Sequence, residues 1–231
     1  MAIHPMPELL PDKVIQRARQ LNAAQLADGM KGLGIPNDGC MDAGILPVDL
    51  HMRVVGTAMT VDTRDGDNFP IHVATYSGKP GYVMVIDGKG CPDKAYFGDL
   101  IMGAASAIGY EGMICDGYVR DRAGCIELGM PVFARGFMQR GPGKQDPGEI
   151  NLPVRCGGIT VSPGDLVVGD YDGVTVVPRD RIEEVLSKAE EKKAYEEKRE
   201  ETISAYRAAV QAGTERPELA PAWVLDMLNN G

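Results

Sequence analysis

Apolar residues recur at helical spacing in residues 12–30 (DKVIQRARQLNAAQLADGM), where Val14, Ile15, Ala18 and Leu21 share a face before Gly29 and Gly32 supply a stop. The pattern predicts an N-terminal helix or helix pair. A Pro/Gly/Asp-rich stretch, GLGIPNDGCMDAGILPVD, then yields to the β-branched run RVVGTAMTV, after which short apolar strands alternate with helical patterns. The clearest unit is a strand YVMVIDG (82–88), a Gly-rich loop to Gly98, a helix DLIMGAASAIGY (99–110) and a strand GMICDG (112–117). That order is a β-loop-α-β crossover, whose parallel strands are expected to be buried on both faces.

After PVFARGF (131–137), the segment RGPGKQDPGEINLP is too polar for a core and predicts a surface loop over 138–152, a candidate lid. From Asp180 to about Ala212 the pattern is helical and charge-dense, with Glu-to-Lys pairs in KAEEKKAYEEKREE. Its apolar positions Ile182, Val185, Leu186, Ala189, Tyr195, Ile203 and Tyr206 need cover, and the tail APAWVLDMLNN adds Trp223, the only tryptophan. Such a projection is expected to pack on a second subunit. The expected organisation is therefore an α/β domain over 1–179 with an N-terminal helical segment, and a C-terminal helix and tail over 180–231.

Composition narrows the chemistry. A length of 231 residues supports a real core without disulfide or zinc staples. The net charge of −9, with no Lys/Arg-rich block, argues against a nucleic-acid partner. No apolar run approaches the roughly 20 residues needed to span a bilayer, and MAIHPMPELLPDK does not read as a signal peptide, so a cytoplasmic location is expected. Cys40, Cys91, Cys115, Cys125 and Cys156 lack C-x-x-C spacing, and His4, His51 and His72 include no i, i+4 pair. A metal would therefore sit among oxygens.

Two places can carry chemistry. Gly98-Asp99-Leu100 enters a helix, where the free first-turn amides favour a carboxylate or phosphate, although Asp99 can equally be a simple N-cap. Asp116-Gly117-Tyr118-Val119-Arg120-Asp121 follows an apolar strand at the carboxyl end, where α/β sheets place ligands. Arg120 there offers a planar fork for a carboxylate and Asp121 a hard oxygen for Mg²⁺ or Mn²⁺, with a surface ion pair as the plain alternative. Consecutive strand–helix units bring both loops to one rim of the sheet.

Twenty residues lie between Asp99 and the Arg120-Asp121 pair, and FGDLIMGAASAIGYEGMICDGYVRD with PVFARG resembles the 4-hydroxy-4-methyl-2-oxoglutarate / 4-carboxy-4-hydroxy-2-oxoadipate aldolases of the RraA-like superfamily. The similarity extends from GDNFPIHVA (66–74) to VSPGDLVVGDYDGVTVVP (161–178). The resemblance implies a swivelling β/β/α fold with a long C-terminal helix, assembled as trimers or hexamers with sites between subunits. It further implies that Asp99, Arg120 and Asp121 are catalytic. Arg120 would meet the substrate's carboxylate and keto end, Asp121 would hold Mg²⁺ or Mn²⁺ partly through water, and Asp99 would position a water of that metal. Gly98, Leu100 and Ile101 would bind substrate through the helix terminus, and Asn68 would line the pocket. A Glu from a neighbour's C-terminal helix is also implied, with Glu196, Glu197, Glu200 and Glu201 as candidates. Lys144, in the polar loop, is a candidate for a distal carboxylate.

The activity implied is class II aldol cleavage of a 4-hydroxy-2-oxoacid to pyruvate, with oxaloacetate decarboxylation at the same site, since both reactions generate a pyruvate enolate. The alternative is a non-catalytic binding protein of the ribonuclease E inhibitor type. The resemblance also implies that regulators of this kind lack the acidic residue after the arginine, which Asp121 supplies here. Lys79, Lys89, Lys94 and Lys144 lie in turns or polar loops, which disfavours a Schiff-base route. GKGCPDKAYFGDL does not fit a dinucleotide fingerprint.

Overall fold

A computed structural model describes residues 1–229; Asn230 and Gly231, at the end of the expected tail, lie outside the described residues. The strands are β1 (Ala2–Ile3), β2 (Leu46–Pro47), β3 (Val54–Asp62), β4 (Tyr82–Asp87), β5 (Gly112–Val119) and β6 (Val132–Phe137), followed by β7 (Glu149–Ile150), β8 (Val154–Cys156), β9 (Ile159–Val161), β10 (Leu166–Asp170) and β11 (Gly173–Val177). The helices are α1 (Asp12–Ala18), α2 (Ala23–Met30), α3 (Phe69–Ser77), α4 (Asp99–Ile108), α5 (Arg122–Leu128), α6 (Ile182–Ala212) and α7 (Ala222–Asn229). Two compact units result, Met1–Ala189 and Glu190–Gly231.

In the first unit β3, β4, β5 and β6 pair in parallel at the centre of the sheet, while β10 joins β3 antiparallel and carries β11. Alternation along the central strands sorts their side chains into two cores. Tyr82, Met84 and Ile86 of β4, with Met113 and Cys115 of β5, pack with Met102 and Ala105 of α4 and Cys125 of α5. Val83 and Val85, with Ile114 and Phe133, face Val154, Val161, Val167 and Val176 of the later strands. Both faces of the parallel sheet are therefore dry, one under helices and one under β structure. This is the α/β architecture with a β/β/α layering and a long C-terminal helix that the sequence implies.

The N-terminal pattern resolves into the pair α1 and α2, joined at Asn22, which caps α2 reciprocally with Gln25. Gly29 does not end α2. It lies inside the helix, where an added Cβ would stand 2.9 Å from the Val185 carbonyl oxygen, so its lack of a side chain lets α6 approach.

Two expectations are corrected here. The apolar positions at the start of α6 are covered by their own chain, not by a second subunit: Ile182, Val185, Leu186 and Ala189 are buried among Leu10, Val14, Leu21, Leu26 and Val168. The polar segment over 138–152 is also not a free-standing lid. The Asn68 amide donates to the Gly143 carbonyl (3.0 Å), the Gly143 amide to that of Gly66 (2.8 Å) and the Gln145 amide to the Asp67 carboxylate (2.9 Å), while Glu149–Ile150 enters the sheet. Backbone groups that a lid would leave to water are paired.

In the second unit, Lys192–Glu196 and Lys193–Glu197 pair at 3.6 and 3.9 Å along α6, and the Arg199 guanidinium reaches the Leu219 carbonyl oxygen. Trp223, Met227 and Leu228 of α7 are exposed. Among the described residues no helix is long and apolar enough to cross a membrane.

Candidate functional site

The carboxyl ends of β4 and β5 deliver their following segments to one rim. There a cleft of about 90 Å³ is lined by Asn68, His72, Phe97, Gly98, Leu100, Ile101, Arg120, Asp121, Pro142 and Lys144. Asn68, Gly98, Leu100, Ile101, Arg120, Asp121 and Lys144, singled out from the sequence, thus share one concavity. Asp99 does not line it. Glu196 and Glu197 belong to the second unit.

Gly98 is the residue before the first turn of α4, so it occupies the N-cap position and Asp99 the next, and no side chain caps this terminus. The Met102 amide closes the first turn on the Gly98 carbonyl (3.2 Å), which leaves the amides of Asp99, Leu100 and Ile101 without intrahelical acceptors. Leu100 itself is 84 % exposed, so what it brings to the cleft is backbone, the groups that a carboxylate would use.

Arg120 and Asp121 directly follow β5. The Arg120 amide donates to the Phe97 carbonyl (3.0 Å), which ties the β5 exit to the entry of α4. Asp121 is left-handed (φ 57°, ψ 45°) and precedes α5 without capping it. Aspartate tolerates this conformation better than most residues, and in it Oδ2 lies beside Gly98 and 3.3 Å from Arg120 Nε. The plain ion-pair reading and the functional one therefore coexist in one geometry. Asp99 turns toward α5, where a Cβ on Gly124 would stand 2.7 Å from its Oδ2. Beneath them the Cys125 thiol donates to the Arg120 carbonyl (3.2 Å), and burial, with Asp99 and Asp121 nearby, pushes its pKa up to about 11. It stays protonated at neutral pH and is no nucleophile.

The opposite wall comes from the N-terminus of α3 and the loop fixed by Asp67. Asn68 is buried, and its Nδ2 donates to the Tyr96 carbonyl (2.8 Å). Burial, reinforced by Lys144, lowers the His72 pKa. Sequence reasoning missed His72, although it sits one helical turn after Asn68 and its amide closes on the Asn68 carbonyl (3.1 Å). It also missed Arg135, whose guanidinium binds Asp42 (2.6 Å) and the mostly buried carboxylate of Asp116, which also accepts from the Gly157 amide (2.8 Å). No spacing in the chain links Asp42, Asp116 and Arg135; the pairing of β5 with β6 brings Asp116 to Arg135, and that of β2 with β6 brings in the segment that carries Asp42.

For a Schiff base the lysine pKa would have to fall. That of Lys89 is raised: burial alone would lower it, but Asp62 and Asp87 outweigh burial.

For a divalent cation, no three His, Cys, Asp or Glu side chains converge among the described residues. The carboxylate that lines the cleft is that of Asp121. This donor set fits a cation that keeps most of its waters and takes one or two carboxylates, as Mg²⁺ does.

The sequence profile of the RraA-like family, described as Aldolase/RraA, matches residues 23–176. A curated relative from Halalkalibacterium halodurans, named "Putative 4-hydroxy-4-methyl-2-oxoglutarate aldolase", is 39 % identical over 202 residues, covering 87 % of this chain and 94 % of its own. Among solved structures, an uncharacterized protein from Pseudomonas syringae pv. tomato is 28 % identical with a TM-score of 0.73, covering 90 % of this chain and 97 % of that one. Streptomyces coelicolor RraAS2, described as an unusual member of the RNase ES inhibitor RraA protein family, is 26 % identical with a TM-score of 0.72, covering 81 % and 96 % respectively. Profile, relative and fold agree, and the chain belongs to the RraA-like family.

Proposed function

We propose that the protein is a divalent-metal-dependent lyase that cleaves a 4-hydroxy-2-oxoacid, such as 4-hydroxy-4-methyl-2-oxoglutarate or 4-carboxy-4-hydroxy-2-oxoadipate, to pyruvate and a second oxoacid. The observation that carries this reading is the meeting of the α4 N-terminus with Arg120 and Asp121 in one cleft. Oxaloacetate decarboxylation at the same site follows from the shared enolate.

The free amides of Leu100 and Ile101 bind the 2-oxoacid carboxylate. Arg120 donates to the keto oxygen, where negative charge grows as the C3–C4 bond breaks, from a backbone fixed by the bond of its amide to the Phe97 carbonyl. Asp121, which lines the cleft, would hold Mg²⁺ or Mn²⁺, partly through water. Such a cation supplies Lewis-acid stabilisation of the developing enolate charge. Lys144 lines the far side of the cleft and suits a second carboxylate. In solution the chain forms a homo-oligomer, a trimer or hexamer, in which Glu196 or Glu197 serves a neighbouring site.

The test is pyruvate release from a panel of 4-substituted 4-hydroxy-2-oxoacids with Mg²⁺ or Mn²⁺. Metal-dependent turnover is expected; full activity after exhaustive chelation, or no turnover of any member, would overturn the reading. The kinship with RraAS2 favours, as a second reading, a binding protein that inhibits an RNA-processing enzyme. Asp121 weighs against it, because a binding surface has no use for a hard oxygen ligand held against a helix N-terminus.

A further inference from the structure

Asn68 is 3 % exposed, and its Oδ1 is fully buried with no protein donor in reach. Its orientation is not free. Nδ2 donates to the Tyr96 carbonyl at 2.8 Å, and turning the amide over would set two acceptors against each other. The Asn68 backbone is held as well, by the Gly143 carbonyl, which takes its amide, and by His72, whose amide takes its carbonyl. Tyr96 is in turn locked: its hydroxyl accepts from the Gly66 amide (2.9 Å) and donates to the Gly88 carbonyl. A buried acceptor left unpaired is costly, so one held rigidly at a cleft wall is built for a donor that arrives with the ligand.

Resting on the aldolase reading, we infer that Asn68 Oδ1 accepts the hydrogen bond of the substrate's 4-hydroxyl and so selects 4-hydroxylated oxoacids over those without the hydroxyl. The groups that suit the 2-oxoacid end, the α4 amides and Arg120, come from the β4 and β5 exits. Asn68, His72 and Lys144 come from α3 and the stapled loop, the wall left for the substrate's distal half. Lys144 offers only donors, and of the neutral acceptors on His72 and Asn68 it is Asn68 Oδ1 that is buried without a partner. A neutral amide oxygen is far too weak a base to take the hydroxyl proton, so Asn68 positions the C4–OH and discriminates by it, while proton removal falls to another group. Sites built to bond a hydroxyl reject the analogue that lacks it, because the buried partner is then left unpaired.

The experiment compares inhibition of the wild-type protein by 2,4-dihydroxyglutarate and 2-hydroxyglutarate, which differ only at C4 and cannot be cleaved because C2 is not a keto carbon. The 4-hydroxylated member is expected to bind at least ~10-fold tighter, and Asn68→Ala to collapse that ratio toward one. In turnover, Asn68→Ala is expected to lower the ratio of aldol cleavage to oxaloacetate decarboxylation by at least ~10-fold, since oxaloacetate carries no C4 hydroxyl. Equal inhibition by the two analogues in the wild-type protein overturns the inference without any variant having to fold. So does a parallel fall of both activities, the mark of a merely structural role. If the wild-type protein cleaves hydroxy-oxoacids and the analogue ratio is one, only this inference fails; if it cleaves none of them, the aldolase reading fails separately.

Discussion

A Cβ placed on Gly98 would stand 2.0 Å from Oδ2 of Asp121, so the carboxylate proposed to hold the metal rests directly on the backbone that opens α4. Any side chain at 98 must displace Asp121, and Asp121 cannot retreat without losing its ion pair with Arg120. Gly98→Ala is therefore expected to lower kcat/KM by at least ~10²-fold while the circular dichroism spectrum is kept, because a misplacement of about 1 Å at a reacting centre costs that much. Near-normal turnover in a folded Gly98→Ala protein would show that this contact has no catalytic consequence.

Arg120→Ala and Asp121→Ala are each expected to reduce kcat/KM by at least ~10²-fold, since each removes charge stabilisation aimed at the enolate. Arg120→Lys should remain poor, because a point charge does not reproduce the guanidinium fork. Steady-state kinetics with saturating Mg²⁺ check both, and wild-type kinetics in either alanine variant would remove the pair from the site.

Asp67 provides a pH signature. Burial alone would raise its pKa, but the amides of Gln145, Phe69 and Asp146, with Lys94, outweigh burial and hold it below the ordinary carboxylate value. A depressed folded-state pKa contributes stability that is present above the unfolded value, about 3.9, and is lost as pH falls through the folded one. The wild-type melting temperature should accordingly exceed that of Asp67→Asn at pH 7, and the gap should shrink below about pH 4. A gap of the same size at pH 7 and pH 3 would contradict the role of the ionised carboxylate in fastening the Lys144 loop.

Removing Arg135 strands Asp116 in the interior with only the Gly157 amide for company. Arg135→Ala should cost about 3–5 kcal/mol in denaturant unfolding, whereas replacing both partners by apolar residues of similar volume should recover much of that loss. An Arg135→Ala protein as stable as wild type would mean that solvent reaches Asp116 more freely than its burial indicates.

Trp223 is 59 %, Met227 70 % and Leu228 74 % exposed, an apolar set that isolated chains rarely display together. Light scattering at micromolar concentration should find an oligomer. A fully active monomer would defeat the oligomeric reading, and with it the proposed contribution of Glu196 or Glu197 to a neighbour.

The sequence by itself determined the elements and the rim. The largely apolar runs at β3, β4 and β5 are suited to burial on both faces, and Asp99, at the end of the loop that follows β4, and Arg120-Asp121, just after β5, had to reach the same edge of the sheet. Helical periodicity likewise located α1, α2, α4 and α6. Periodicity reports that a face is apolar, however, and not what covers it. Only the folded chain showed that Val185 and Leu186 rest on the N-terminal helices, and that Gly29 is a contact point where the pattern reads as a stop. How the second wall of the cleft is held together was hidden for the same reason. Asp67 and Asn68 are far from Gly143 and Gln145 in sequence and meet them through bonds made by backbone amides, which nearly every residue type can offer and which leave no mark on composition. The direction in which the Asn68 amide points, and hence what it can recognise, was decided by a single bond to the Tyr96 carbonyl.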